Sequence, residues 1–285
     1  MTWTQAVENY LRTLTASTAD QYRRGLEDFA EWYRGTYAEE PQPALLTDEE
    51  VREWRGFLSG VRKLAASTVN VRLSAVKGLA RSVGRELSVR GVRQVEQPID
   101  PLNGRDLGRL IAAIETHSWG PEWLQKRNRA LVSVMARAGL RVKEVVSLDL
   151  GDVEINERSG WAMIRQGKGL KERRVPLPLQ TRRALSAYLE SRPKWAKRPA
   201  LFLTKTGNRL STRAVQRLVK VAAQRAGIDK DVTPHVLRHT YATRFLRKTG
   251  DLATLQDILG HTNIATTSRY LHPDAAQMQE MVENL

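Results

Sequence analysis

Apolar side chains return every three or four positions through four stretches of the first ninety residues, which predicts four short amphipathic helices. Val7, Tyr10, Leu11 and Leu14 mark the first, and Tyr22, Leu26, Phe29 and Tyr33 mark the second. Thr18 followed by Gln21 has capping-box spacing within the second stretch. Thr47 with Glu50 repeats it ahead of Val51, Trp54, Leu58 and Val61. Ser67 or Thr68 opens the fourth helix, with Val69, Leu73, Val76, Ala80 and Val83 inward. Pro41 and Pro43 resist helix continuation between the second and third. The pattern describes a small bundle whose aromatic stripes serve as core, not as platforms for stacking bases.

The periodicity fails over residues 88–102, where Gly91, Pro98 and Pro101 fall, so a linker is expected between a domain at 1–87 and one at 103–285. The second domain reads as mixed. Helical spacing covers residues 106–115, 127–138, 178–190, 212–226, 234–248 and 251–259. Short antiparallel strands are expected at 153–156, 161–166 and 172–177. Gly167-Lys168-Gly169 falls at the turn between the last two, where glycine takes a positive φ at little cost. The fold class is mainly α with a small antiparallel β-sheet.

Composition changes the picture in three ways. At 285 residues, with 41% apolar and 27% charged positions, the chain has room for two ordinary globular cores. No apolar run approaches the roughly eighteen residues of a membrane span, and Met1-Thr2-Trp3-Thr4-Gln5 lacks the layout of a secretory signal, so a cytoplasmic location is expected. The absence of cysteine excludes disulfides, thiolate metal sites and cysteine nucleophiles. Charge is the third and strongest clue. The formal +15 is unevenly spread, with 14 basic and 12 acidic residues through position 95 against 32 and 19 beyond it. A basic second domain suits a polyanion, although charge alone leaves an anionic membrane or an acidic protein open.

Cleaving a nucleic-acid phosphodiester without metal needs a nucleophile, cations for the non-bridging oxygens and a proton for the leaving oxygen. Guanidinium forks match paired phosphate oxygens and never lose their charge. Arg141 follows Ala138-Gly139-Leu140 at the end of an apolar helix, and Arg238 lies three residues after His235, so both are expected on one face of a helical turn. Taken singly, such an arginine is a solvated surface residue and a hairpin-tip lysine serves solubility. No clustered carboxylates suggest two-metal hydrolysis, and no cofactor is expected.

The segments Gly139-Leu140-Arg141-Val142-Lys143-Glu144, Gly167-Lys168-Gly169, His235-Val236-Leu237-Arg238-His239-Thr240-Tyr241, Leu259-Gly260-His261 and Ser268-Arg269-Tyr270-Leu271-His272 together resemble the tyrosine recombinase (phage integrase) family, in a Xer-like form. The resemblance implies an N-terminal helical, SAM-like core-binding domain that clamps DNA, ahead of a mixed α+β catalytic domain. By that resemblance Arg141 and Arg238 grip the scissile phosphate, Lys168 is the general acid, and His235 assists proton transfer or orients the phosphate. His261 donates to a non-bridging oxygen, Tyr270 is the nucleophile and Glu144 supports the group. His117, His239 and His272 are read as structural histidines and Tyr241 as a core aromatic. Ala138 stands where the family often has threonine, which removes a hydroxyl and leaves the arginine untouched.

The resemblance further implies site-specific DNA recombination through a 3′-phosphotyrosyl intermediate, with neither metal nor ATP. The partner would be a double-stranded recombination site at the nucleoid. Beyond Tyr270, Ala275, Met278, Val282 and Leu285 share one helical stripe. Such a terminal stripe fits donation to a neighbouring protomer, in a homo-tetramer or a hetero-tetramer with a paralogue on DNA. No arm-type module is expected ahead of the bundle, which fits a simple Xer-type or transposon-borne enzyme better than a large phage integrase. A type IB topoisomerase-like nicking-closing enzyme and a non-catalytic recombinase-like accessory factor are the alternatives.

Overall fold

A computed structural model describes residues 1–93, 99–116, 119–165, 172–196 and 198–260. The chain divides into two compact units, Met1–Gln97 and Pro98–Leu285. No helix among the described residues is long and apolar enough to cross a membrane.

Four α-helices build the first unit: α1 (Trp3–Arg12), α2 (Ala16–Tyr37), α3 (Asp48–Gly56) and α4 (Ala66–Ser82). Their buried faces join Trp3, Leu11, Leu26, Phe29, Val51, Trp54, Leu58, Val69, Leu73 and Val76 in one core. The aromatic stripes meet inside it, with the Phe29 and Trp54 rings edge to face at 4.9 Å. The capping box before α3 forms as expected, Thr47 Oγ1 accepting from Glu50 N and Thr47 N donating to Glu50 Oε2 at 2.7 Å. Thr2 and Gln5 make a second box, one the hydrophobic pattern did not flag.

Two expected helix starts are corrected. Thr15, not Thr18, is the residue before α2, and Ala65, not Ser67 or Thr68, precedes α4. Both Thr15 and Ala65 accept a first-turn backbone bond from the residue four positions on. Ser17 and Thr18, like Ser67 and Thr68, fall two and three positions on, inside the first turn, and so cannot be the residue that caps it. The inward place expected for Val61 is also corrected. After α3 the chain widens into a π turn, Phe57–Val61, closed by Arg62 N donating to Phe57 O at 2.9 Å. One extra residue in that turn rotates the stripe, leaving Leu58 buried and Val61 71% exposed.

The stretch expected as linker is bonded at both described ends. Asn70 receives Val92 N on its Oδ1 at 2.7 Å and returns a bond to Val92 O at 2.9 Å, while Val89 is buried in the first core. Leu102 is buried in the second core, its N–H donating to Thr240 Oγ1 at 2.9 Å.

In the second unit α5 (Gly104–Thr116), α6 (Glu122–Ala138), α7 (Val142–Ser147), α8 (Leu179–Ser191), α9 (Thr212–Arg225), α10 (Pro234–Thr249) and α11 (Leu252–Leu259) accompany a three-stranded sheet. The strands β1 (Val153–Ile155), β2 (Gly160–Ile164) and β3 (Arg173–Pro176) run antiparallel in the order β1-β2-β3. Ala162 lies opposite Val175 and Ile164 opposite Arg173. The central helix is α6, buried through most of its length and packed against α5, α8 and α10. It ends at Gly139 with φ +72°, where a Cβ would stand 2.4 Å from the Tyr241 ring. That close approach turns the chain sharply into Leu140 and Arg141.

Candidate active site

Three helix ends and one strand end meet in the second unit around a single carboxylate. Arg141 is the extended residue before α7, and its backbone N donates to Glu144 Oε2 at 2.8 Å. The Arg141 side chain folds the same way, Nη1 donating to Glu144 Oε1 at 2.9 Å. Arg238, on the inner side of α10, approaches Glu144 Oε2 at 3.7 Å. The third cation is Arg173 at the start of β3, whose Nη2 stands 3.0 Å from each Glu144 oxygen.

The same three guanidiniums cover the end of α11. Arg173 Nε donates to Ile258 O at 2.9 Å, Arg238 Nη2 to Leu259 O at 2.8 Å and Arg141 Nη1 to Leu259 O at 3.1 Å. Arg238 Nη1 also donates to Gly139 O at 2.7 Å, tying α10 to the end of α6. The last carbonyls of a helix lack intrahelical donors and carry its negative dipole end, so cations are favoured there. Gly260 closes the helix at φ +63°, with a would-be Cβ 2.9 Å from Arg173 Nη1. Only glycine fits that position without displacing the guanidinium.

Electrostatics follow from this packing. Burial pushes the Glu144 carboxyl upward, but Arg173, the Arg141 hydrogen bonds and Arg238 outweigh it and hold the group below its ordinary range. Glu144 therefore stays charged at neutral pH. One carboxylate against three guanidiniums leaves a surplus of about two positive charges, a place built for an anion. The Arg141 side chain is 40% exposed, while Arg238 is 2% exposed.

Of the residues expected from sequence, Arg141, Glu144 and Arg238 come together. His235 is exposed at the first turn of α10. The single face expected for His235 and Arg238 thus splits by depth, because three residues on a helix are about 60° short of a full turn. Lys168, His261 and Tyr270 lie outside the described residues, as do His117, His272 and the stripe from Ala275 to Leu285. His239 is half-buried, with burial and the neighbouring His235 lowering its pKa against a backbone hydrogen bond to Ile99. Tyr241 packs with Phe245, Ala242, Leu255 and Leu259, and burial pushes its phenol up to about 12 despite Arg238. That direction opposes phenolate formation.

Arg173 was not singled out by the sequence. Its signal is the strand period: Arg173 and Val175 share a face, and Val175 is fully buried while Arg174 and Pro176 are exposed. An arginine at an inward strand position needs a buried anion, and Glu144 supplies it.

Residues 101–277 match the phage integrase family. The tyrosine recombinase XerD of Corynebacterium glutamicum is 32% identical over 284 residues, covering 95% of this chain and 92% of that protein. The tyrosine recombinase XerC of Escherichia coli O157:H7 is 32% identical over 286 residues, covering 94% and 91%. A crystal structure of the XerH site-specific recombinase bound to a palindromic difH substrate, a post-cleavage complex, has the same fold. It superposes with a TM-score of 0.78 at 22% identity, over 95% of this chain and 80% of that one.

Proposed function

The chain belongs to the phage integrase family, and from this premise we propose that it recombines DNA at specific sites by the following chemistry. Tyr270 attacks a backbone phosphorus, the bond to the 5′-oxygen breaks, and a 3′-phosphotyrosyl enzyme forms. Lys168 gives the departing oxygen its proton, and the Tyr270 proton leaves with help from His235. The phosphoester energy is retained in the tyrosyl link, so a second DNA 5′-hydroxyl can reverse the step on a new partner without ATP.

The observation that carries this reading is the guanidinium cluster around Glu144. Arg141 and Arg238 hold their donors within one small volume, oriented by a buried carboxylate that stays charged. A phosphodiester shares one full negative charge between its two non-bridging oxygens, so these compete successfully with the Leu259 and Gly260 carbonyls for the guanidinium donors. Fixed cations at the place where charge grows in the transition state are the largest catalytic term in such reactions. His261, next in sequence to Gly260, adds a donor to a non-bridging oxygen. Similarity to named recombinases over nine-tenths of the chain favours strand exchange over a nicking-closing enzyme or a non-catalytic accessory factor.

The assembly belongs to the same proposal. The first unit clamps one face of the duplex, and the stripe Ala275, Met278, Val282 and Leu285 docks on a neighbouring protomer, giving a tetramer across two sites at the nucleoid. A suicide duplex carrying the cognate site, with a nick beside the scissile phosphate, tests the chemistry. The wild-type protein is expected to become trapped on it covalently, while Tyr270→Phe binds with similar affinity and forms no adduct. An adduct persisting in Tyr270→Phe would move the nucleophile to another residue.

A further inference from the structure

Arg173 sits where the β2–β3 ladder closes, paired with Ile164 in the last register position before the segment that holds Lys168. It lies five positions beyond Lys168, a chain length of at most about 18 Å. Its side chain is 11% exposed and reaches away from the sheet in two directions. Nη2 meets both oxygens of Glu144, and Nε meets the carbonyl of Ile258, three residues before His261. Nη1 lies over Gly260, buried and without a hydrogen-bond partner among the described residues. One planar group therefore links the base of the lysine hairpin, the carboxylate that orients Arg141 and Arg238, and the last turn of α11.

We propose that Arg173 is a positioning residue, which holds the hairpin of the general acid in register with the guanidiniums that grip the phosphate. This rests on the reading of Lys168 as the acid. Planarity is what the task requires. A guanidinium fixes three acceptors in one plane, whereas a lysine ammonium is a point charge on a flexible stem. Loosening this link leaves Arg141 and Arg238 with their other bonds to Glu144, Gly139 and Leu259, so phosphate binding persists while proton delivery to the leaving oxygen falters.

The test compares two suicide substrates in the full-length protein, one with the natural 5′-bridging oxygen and one with sulfur in its place. Sulfur departs as a thiolate and needs no proton, so it bypasses the acid and leaves the phosphate grip untouched. On the oxygen substrate at saturating DNA, Arg173→Ala is expected to form adduct about 100-fold or more slowly, within the range for loss of general-acid help. Its DNA affinity should stay within about threefold of wild type. Sulfur should restore Arg173→Ala and Lys168→Ala to within about fivefold of wild type and leave Arg141→Ala slow. Arg173→Lys should be slowed and rescued in the same way, and it carries the test if Arg173→Ala does not fold. Arg173 variants that cleave the oxygen substrate at the wild-type rate, or are equally slow on both substrates, would overturn the inference. Lys168→Ala without rescue would remove the acid assignment and this inference with it. Wild-type protein that forms no adduct on either substrate would instead bring down the proposed recombinase chemistry as a whole.

Discussion

At the scale of single residues, Glu144 organises the site. Removing its charge leaves three guanidiniums facing one another in a pocket where Glu144 and Arg173 are about nine-tenths buried. Breaking such a pair on one side costs about 3–5 kcal/mol, so Glu144→Gln is expected to lower unfolding free energy by that order in urea at pH 7. The folded carboxyl titrates below its unfolded value, so its stabilisation is complete above the unfolded pKa and lost as pH falls through the folded one. The gap between wild type and Glu144→Gln should therefore begin to shrink as pH falls below the ordinary glutamate pKa of about 4.3, and close only at lower pH, once the native carboxyl is protonated as well. A gap unchanged at acid pH would deny Glu144 its charge in the folded protein. The two arginines proposed to grip the phosphate should differ in a parallel way. Arg238→Ala removes a buried group bonded to Gly139 and Leu259, and should cost stability as well as adduct formation. Arg141→Ala, more exposed, should retain most stability and lose cleavage by several kcal/mol of transition-state binding, on the order of a lost oxyanion donor. Equal melting temperatures for the two variants would refute this division. Arg141, Glu144 and Arg238 were legible because their local motifs are distinctive. Arg173 was hidden among the other basic residues of its hairpin, and only the depth of its strand face marks it out.

At the scale of elements, local rules worked where one residue decides and failed where neighbours compete. Thr47 and Glu50 form their box because Thr47 is the hydroxyl immediately preceding α3. Thr47→Ala should lower stability by about 1 kcal/mol in thermal or urea unfolding, and no loss would mean the cap contributes nothing. In the second helix Thr15, Ser17 and Thr18 all offer hydroxyls, and spacing alone chose the wrong one. The π turn after α3 was equally invisible, since a widened turn carries no composition signal of its own. Gly139 shows what an element end requires. Alanine there meets both a left-handed backbone and the Tyr241 ring, so Gly139→Ala should destabilise by more than about 1 kcal/mol of conformational strain alone. Pairing it with Tyr241→Leu should recover part of the loss, and strictly additive effects in that double-mutant cycle would contradict the contact.

At the scale of the whole molecule, charge and topology divide the work. The excess of 32 basic over 19 acidic residues beyond position 95 predicts steeply salt-dependent DNA binding. Between 50 and 200 mM salt, affinity should drop by about a thousandfold if some six phosphates are neutralised. A shallow dependence would mean that few of these charges meet the backbone. The sequence by itself determined the mainly helical class with a small sheet, the basic second half and the family, because periodicity, charge and short motifs are local and survive without coordinates. Only the tertiary structure decided that Arg173 completes a three-guanidinium cluster on Glu144, that Arg238 lies beneath Arg141, and that all three cover the end of α11. Those facts depend on depth and on contacts between residues up to 119 positions apart. Burial is a property of the packed chain: strand alternation puts Arg173 on the face of Val175, but only packing decides that a buried carboxylate waits there.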